Sequence, residues 1–564
     1  MGSKEMLSEI AAKSSAENYV PIPEGYKPGK TKYIIVTGSV ISGIGKGLFT
    51  SSLGKLLVDR GAKVTPVKLE AYFNVDAGTM NPYRHGEVFV LDDGTECDMD
   101  LGSYERFLDK NLTKDSFVTS GRIYSTIIEK ERKGLYLGRD VQFIPHVTGE
   151  AKMVIRNLAM KTDADIVLVE IGGTVGDYEN VLAIEAMREL RYEEGSENVC
   201  FINLTYILDP PSLGEQKSKA AQLGLKTLMS MGIQPSMVIL RSDKPVSKKI
   251  REKVSINANV PLDRVIGAHN INGIYKLPLF LKDLNVDGEI LECLGVEKKF
   301  RQDGDKVRKW TEANTVEKAK KKITVGITGK YTGLSDAYIS ILKALEHCEG
   351  ILKTEIEVRW IETTKIENGR EKVSECLKGV DGIIVPGGFG ARGVEGKIAC
   401  IKYARENNIP YLGLCYGFQM AVIEFARNAM GLKGANTTEV DEKAKDPVIC
   451  ILPEQEEIEG LGGTMRLGGY DVVVGKGTIA HRLYGKEKIR ERFRHRFNVN
   501  TKYIDDIEKA GMSFSGRAPQ KRIMQILELP KHKFFVGTQF HPEFTSRPLK
   551  PNPLFRGFVE ACLK

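Results

Sequence analysis

Two α/β domains in tandem are what this sequence predicts: a doubly wound sheet with a P-loop-like turn, then a second α/β sheet. Three observations carry that prediction. The chain has 564 residues, and at about 150 residues per domain that is more than one hydrophobic core supports. Short apolar, β-branched runs that end in polar or glycine residues alternate with segments of helical spacing, the pattern of parallel strands covered on both faces. Between two such series lies a charge-dense stretch ending in Lys318, Lys320, Lys321 and Lys322. No period of 20 to 50 residues recurs, so the halves are different domains and not a solenoid.

In chain order, residues 1–30 are polar, carry Pro21, Pro23 and Pro28, and read as an extension. Residues 31–298 form the first domain. It opens with YIIVTG, a buried strand, followed by a glycine-rich turn and by FTSSLGKLLVDRG, a helix closed by glycine. The runs AKVTPVKLE, DADIVLVEIGG, NVCFINLTYI and SMVILRSD continue the series, each delivering polar residues at its C-terminal end, where ligands bind in doubly wound sheets. Residues 299–322 read as a partly helical linker. Residues 323–564 repeat the alternation through ITVGITGKY, GIIVPGGFG, IPYLGLCYG and FFVGTQFHPEF.

Composition excludes several classes. No run of about 18 apolar residues is present, so a membrane span is not expected. The start MGSKEMLSEI lacks a signal-peptide core, and Met6 stands where a myristoylation site needs Ser or Thr. Nine cysteines without a CxxC pair argue against a zinc ribbon or disulfide scaffold and for a reducing, cytoplasmic setting. The net charge of +8 is interleaved with 74 acidic residues and suits anionic small substrates, so no nucleic-acid partner is predicted.

PYLGLCYGFQ sets Cys415 between two glycines after an apolar strand and before a helix. That is a nucleophile elbow, a strained turn that lifts the sulfur out of the sheet, and the helix N-terminus behind it favours the thiolate. A thiol nucleophile needs a base and a group to orient the base, and TQFHPEF supplies His541 and Glu543. VPGGFG offers unhindered backbone N–H groups at Gly387 and Gly388 for an oxyanion. Each motif alone reads as packing or a tight turn. Together they answer one mechanism, hydrolysis of an amide through a thioester.

In the first domain, TGSVISGIGKGLFTSS places Gly43, Gly45 and Gly47 around Lys46 between a strand and a helix. Backbone N–H groups there would cradle phosphates and Lys46 would neutralise a transferring phosphoryl group. The strict P-loop pattern is broken, because Val40 occupies the place of its first glycine and Gly47 follows the lysine; alone, the motif fits a plain glycine-rich turn equally well. Asp98, Asp100 and Glu170 stand at or beyond later strand ends, and Asp100 with Glu170 would supply Mg²⁺ with carboxylates.

The second domain resembles the class I, triad-type glutamine amidotransferases. The resemblance implies that Cys415 forms the glutamyl thioester, His541 shuttles protons and Glu543 orients it. It also implies that the backbones of Gly388 and Tyr416 hold the oxyanion, while Gln419, Glu439 and Arg496 grip glutamine. Tyr416 stands where those enzymes usually have Leu, and Phe418 where they have Met, which is expected to alter pocket lining and not chemistry. Over the chain from Tyr33 onward, the strings VISGIGKG, NVDAGTMNPYRHGEVFVLDDG, DLGSYERF, VEIGGTVGD, GEQKSKAAQ, VPGGFGARGVEGK, GGTMRLG and QFHPEF resemble the CTP synthase family.

That resemblance implies phosphorylation of UTP by ATP and amination by ammonia that crosses between the domains through an internal tunnel. ATP would be held by Gly43, Gly45, Lys46, Gly47, Lys68, Asp100 and Arg241, with His269 to Ile271 near the adenine, and Mg²⁺ by Asp100 and Glu170. UTP, or CTP as product and feedback inhibitor, would take Ser42, Asp177, Tyr178, Glu179, Lys217, Lys219, Gln222 and Lys253. GTP as allosteric activator would meet Arg392, Gly393 and Glu395. A homotetramer, and in many members filaments, is implied as well. The chain departs from the family at KSKAAQ, and at Phe493 and Asn498 beside Arg496. Two other readings are an ATP-dependent amidotransferase with a different acceptor, and a nucleotide-driven assembly module with an idle triad. The lysines at 217, 219 and 253 speak against the first, and the intact triad against the second.

Overall fold

The computed structural model describes residues 20–212, 214–301, 305–316, 319–330, 333–451 and 465–564. Most of the expected extension, part of the expected linker including Lys318, and Gly462 to Thr464 of the string GGTMRLG lie outside the described residues. The chain forms two compact units. One holds the residues up to Thr79 together with Ser103–Thr311, and the other holds Met80–Gly102 together with Glu312–Lys564.

The first unit is built on a seven-stranded sheet. Its order is Phe117–Thr119, Val64–Glu70, Ile166–Ile171, Lys32–Gly38, Val199–Tyr206, Met237–Ser242 and Val265–His269. Every pairing is parallel. Both faces are covered. Along the first strand, Tyr33 and Ile35 enter a core with Val67, Val167 and Leu190, while Ile34 and Val36 enter another with Leu53, Leu56 and Ile202. A period of two inside a wholly apolar run produces this division. After Lys32–Gly38 the chain builds outward on one side, returns, and continues on the other, so the turn after Gly38 sits at the switch point of the sheet. The expected linker contains a helix, Lys306–Ala313, whose Trp310 packs on Phe107 and Tyr275.

The second unit has a nine-stranded sheet. Thr354–Glu362, Lys321–Gly329, Gly382–Val385, Tyr411–Leu414 and Phe535–Thr538 run parallel. They are continued by the antiparallel strands Met524–Glu528, Ser513–Arg517, Arg466–Val474 and Lys488–His495. Into this unit comes Met80–Gly102, a segment that sequence order assigns to the first domain. Its small antiparallel ribbon, Phe89–Val90 with Glu96–Cys97, is gripped by three arginines on alternate positions of strand Lys488–His495. Arg490 meets Asp92 at 2.9 Å, Arg492 donates to the Val90 carbonyl at 3.0 Å, and Arg494 donates to Glu96 at 2.6 Å. The turn fits closely against Gly468 and Gly469, where a Cβ would come within 2.5 Å of the Gly94 nitrogen and 2.0 Å of the Asp92 carboxylate respectively.

Candidate active sites

Strand Tyr411–Leu414 ends at Cys415 and helix Tyr416–Asn428 begins immediately after it. Cys415 has φ 49 and ψ −92, a strained conformation for a non-glycine residue, locked by its N–H donating to the Thr538 carbonyl at 2.7 Å. The flanking glycines are sterically required. A Cβ on Gly413 would meet the Tyr411 hydroxyl at 2.3 Å, and one on Gly417 the Val385 carbonyl at 2.2 Å. The thiol is 2 % exposed, and its Sγ lies 3.4 Å from the Arg494 carbonyl.

Strand Phe535–Thr538 delivers His541, whose Nδ1 lies 2.7 Å from Glu543 Oε1. The ring stacks on Phe544 at 4.9 Å, and the His541 N–H donates to the Arg492 carbonyl. Its other nitrogen, Nε2, has no N or O partner among the described residues; the Cys415 thiol is the group with which the ring interacts. Burial alone would pull the imidazole down, but the charges of Glu543 and Cys415 together hold it up at about 10. An imidazolium beside the Cys415 sulfur follows from that balance. Gly387 lies against the pair, since a Cβ there would fall 2.8 Å from His541 Cε1 and 3.6 Å from Cys415 Cβ.

The expected glutamine-binding side chains gather around the same elbow. Gln419 donates to the Phe497 carbonyl at 3.0 Å, while its buried Oε1 is without a partner among the described residues. That oxygen is an acceptor suited to an ammonium or amide N–H. Glu439 accepts from the Gly390 N–H at 2.7 Å and is raised by burial, an effect that Gly390, Lys330 and Arg496 oppose. The Tyr416 hydroxyl donates to the Gly390 carbonyl at 2.9 Å, so this residue ties the glycine loop to the nucleophile's helix. Phe493 is fully buried against Tyr470, His495 and Phe540, a packing role. Asn498 donates to the Arg496 carbonyl at 3.3 Å.

The expected effector residues stand at the start of helix Val394–Glu406. The Glu367 carboxylate accepts from the Gly393 and Glu395 N–H groups at 2.8 and 3.1 Å, and Glu395 pairs with Arg427 at 2.9 Å through both oxygens. Arg392 donates to the Lys330 carbonyl at 3.3 Å. These contacts shape the loop, and Arg392 and Glu395 are both exposed.

In the first unit, Gly43 and Gly45 take φ 69 and 92 on the turn before helix Lys46–Asp59. Val40, the residue that breaks the P-loop pattern, takes φ 78. It adopts the backbone that a glycine would provide, at a cost of order 1–3 kcal/mol for a β-branched side chain. Lys46 Nζ donates to the Gly173 carbonyl at 2.8 Å, facing the end of strand Ile166–Ile171. There Glu170, 2 % exposed, accepts from the Tyr104 hydroxyl and lies 3.9 Å from Lys68, which pairs with Glu70 at 2.9 Å. Glu70 and Tyr104 were not among the expected site residues; a carboxylate ending the strand VKLE was the available signal for the first.

Arg241 spends its donors on structure, reaching the carbonyls of Ile44 and Ala268 at 3.3 and 2.8 Å and Asn270 Oδ1 at 2.8 Å. It thereby joins the phosphate turn to the segment expected near the adenine. Asp177 accepts from the Thr174 N–H at 2.7 Å, and Gln222 donates to Ser218 at 2.9 Å. Lys217 pairs with Glu215. Ser42, Tyr178, Glu179, Lys219 and Lys253 are exposed. Asp100, at the start of helix Met99–Leu108, and Glu170 fall in different units. Among the described residues no group of three or more His, Cys, Asp or Glu forms a ready-made metal site, and all nine cysteines are free.

The family model described as CTP synthase N-terminus matches residues 32–296, and that of the class-I glutamine amidotransferases matches 334–561. The CTP synthase of Thermococcus gammatolerans is 51% identical over 536 residues, covering 94% of this chain and 98% of its own. That of Pyrococcus abyssi is 51% identical over 534 residues with the same coverage. A solved glutaminase domain of Trypanosoma brucei CTPS with bound acivicin is 36% identical, covering 43% of this chain and 94% of its own, at a TM-score of 0.41.

Proposed function

This chain belongs to the CTP synthase family, and we propose that it aminates UTP to CTP with ATP as phosphoryl donor and glutamine as nitrogen source. One observation carries the glutaminase half: a strained, buried Cys415 beside a His541 that Glu543 orients at 2.7 Å. In this reading the Cys415 thiolate attacks the glutamine side-chain amide. The backbone N–H groups of Gly388 and Tyr416 receive the developing oxyanion. His541 gives its proton to the leaving nitrogen, ammonia departs, and water then cleaves the thioester to glutamate. Gln419, Glu439 and Arg496 hold the amino-acid end of the substrate.

In the synthetase half, O4 of uracil is a poor leaving group until phosphorylated, and ammonia then displaces phosphate at C4. Phosphoryl transfer needs position and charge neutralisation. Lys46 and Lys68 supply cations, and the turn through Gly43, Gly45 and Gly47 supplies N–H groups. Glu170, buried at the end of strand Ile166–Ile171, would offer Mg²⁺ a carboxylate. The donor chemistry fits, because Mg²⁺ arriving with nucleotide phosphates keeps waters and needs only one or two carboxylates. When bound, the ion neutralises phosphate charge. Ser42, Asp177, Tyr178, Glu179, Lys217, Lys219, Gln222 and Lys253 are assigned to UTP or to inhibitory CTP, and Arg241 to the adenine side of ATP. Arg392, Gly393 and Glu395 are assigned to activating GTP. Exposed apolar side chains on the first unit, including Phe73, Phe143 and Ile144, suit association between copies, and the homotetramer is assigned from the family resemblance. Among the described residues no helix is long and apolar enough to cross a membrane.

The deciding experiment supplies UTP, ATP, Mg²⁺ and glutamine and follows the cytosine chromophore. Product with all four, and none when UTP is omitted, is expected. Glutamate release and ATP consumption without CTP would overturn the substrate assignment in favour of another acceptor.

A further inference from the structure

Lys397 lies in the first turn of helix Val394–Glu406, in the string GVEGK. Its side chain is 2 % exposed. No hydrogen-bond acceptor or carboxylate partners its Nζ among the described residues, an unusual state for a buried ammonium. The nitrogen sits 4.9 Å from the centroid of the Tyr416 ring and 3.8 Å from where a Cβ on Gly388 would stand. Gly388 and Tyr416 are the two residues whose backbone N–H groups were assigned to the oxyanion. One cation therefore stands behind both donors. The surrounding charges are Lys330, which repels it, and Cys415 and Glu439, which attract it; with burial as the largest influence, the amine is pushed down to about 7. Across Cys415 stands His541.

A lysine kept only for packing would be replaced at lower cost by an apolar chain of equal length, because an unpaired buried charge is expensive. The expense is offset where negative charge appears nearby, and in this site it appears twice, on the Cys415 thiolate and on the tetrahedral oxyanion.

We propose that Lys397 is a positioning residue of the glutaminase, holding Gly388 and the Tyr416 ring from behind and stabilising the thiolate and oxyanion with its buried charge. The cation over the Tyr416 face fixes the ring, whose hydroxyl is tied to Gly390, and so aligns the peptide N–H that follows Cys415. The inference rests on the glutaminase reading of Cys415 and adds a residue to it.

The test uses full-length K397M and K397Q. Three things are measured: kcat and KM for glutamine hydrolysis, ammonia-dependent CTP formation as a control for folding, and the pH dependence of Cys415 alkylation by iodoacetamide, read by mass spectrometry. Both variants are expected to lose about 10- to 100-fold in kcat, with KM changed less than about threefold. The alkylation midpoint moves to higher pH, because a cation that favours the thiolate is gone. K397R, which keeps the charge, recovers part of the rate. Parental kcat and an unmoved midpoint in a folded K397M or K397Q would overturn the proposal, as would a rise in KM alone, which would put the lysine on the glutamine carboxylate. C415A in the same hydrolysis assay separates the premise, since hydrolysis surviving in C415A would sink the glutaminase reading itself.

Discussion

The two reaction sites are built on opposite principles. Cys415, His541 and Glu543 are all buried and brought together just beyond the ends of two neighbouring strands of one sheet. Most residues assigned to the pyrimidine nucleotide stand open instead, with Tyr178 95 % exposed and Glu179, Lys219 and Lys253 on the surface, although Gln222 is buried. The difference follows from the ligands. Amide hydrolysis starts from a neutral side chain and creates charge inside the site, so donors must be fixed beforehand and water kept out. A triphosphate brings its own charge, and solvated lysines attract it over a distance before any close fit forms.

The sharpest way to break this comparison is to disable each site separately. C415A is expected to abolish glutamine-dependent CTP formation, a loss of about 10⁴-fold or more, while synthesis from added ammonium persists. K46A is expected to remove product with either nitrogen source, by roughly 10³-fold. Loss of both activities in C415A, or ammonia-dependent synthesis surviving in K46A, would dissolve the division of labour.

A smaller effect sharpens the account of the preset site. E543Q keeps shape but removes the charge that helps hold His541 at about 10. Glutamine hydrolysis is expected to fall about 100-fold, and the basic limb of its kcat/KM profile to move to lower pH. The raised imidazole also stabilises the parental fold: that contribution is complete below about 6.5 and is lost as pH rises through about 10. In E543Q, pH-dependent unfolding is expected to show less of this loss.

Next comes the ribbon. E96Q removes the carboxylate charge that meets Arg494 at 2.6 Å and is expected to destabilise the second unit by about 1–3 kcal/mol, read as a lower Tm. Because the Arg494 carbonyl touches Cys415 Sγ, hydrolysis is expected to weaken with it, whereas an unchanged Tm would make the ribbon a passive neighbour.

The least effect belongs to the phosphate turn. V40G releases a β-branched residue from φ 78 and is expected to raise stability by about 1 kcal/mol, a shift of a few degrees in thermal unfolding.

Much of this was legible along the chain. Apolar runs such as YIIVTG announce buried strands because side-chain direction alternates within the run itself, and GLCYG announces an elbow because no larger residue clears the Tyr411 hydroxyl and the Val385 carbonyl. The triad residues followed because the chemistry admits few residue types. Val40 looked like a defect in a motif, yet its backbone takes the glycine's conformation; pattern matching reads side chains, whereas the phosphate turn is a backbone feature. Lys397 was invisible as anything but part of a polar loop, since sequence does not tell a solvated lysine from one buried behind an oxyanion site.

What the sequence by itself determined is the set of local facts: which runs are strands, where each turn lies, and which nucleophile and base are present. Only the tertiary structure decided that Met80–Gly102 joins the later half of the chain, through pairs such as Glu96 and Arg494 that stand 398 positions apart. It also decided that Glu395 is spent on Arg427 and that Lys397 is buried beside Gly388 and the Tyr416 ring. The physical reason is range. Periodicity and turn chemistry act over a few residues, whereas the partner of a charge is set by how sheets and loops pack, and no local pattern encodes which surface will meet which.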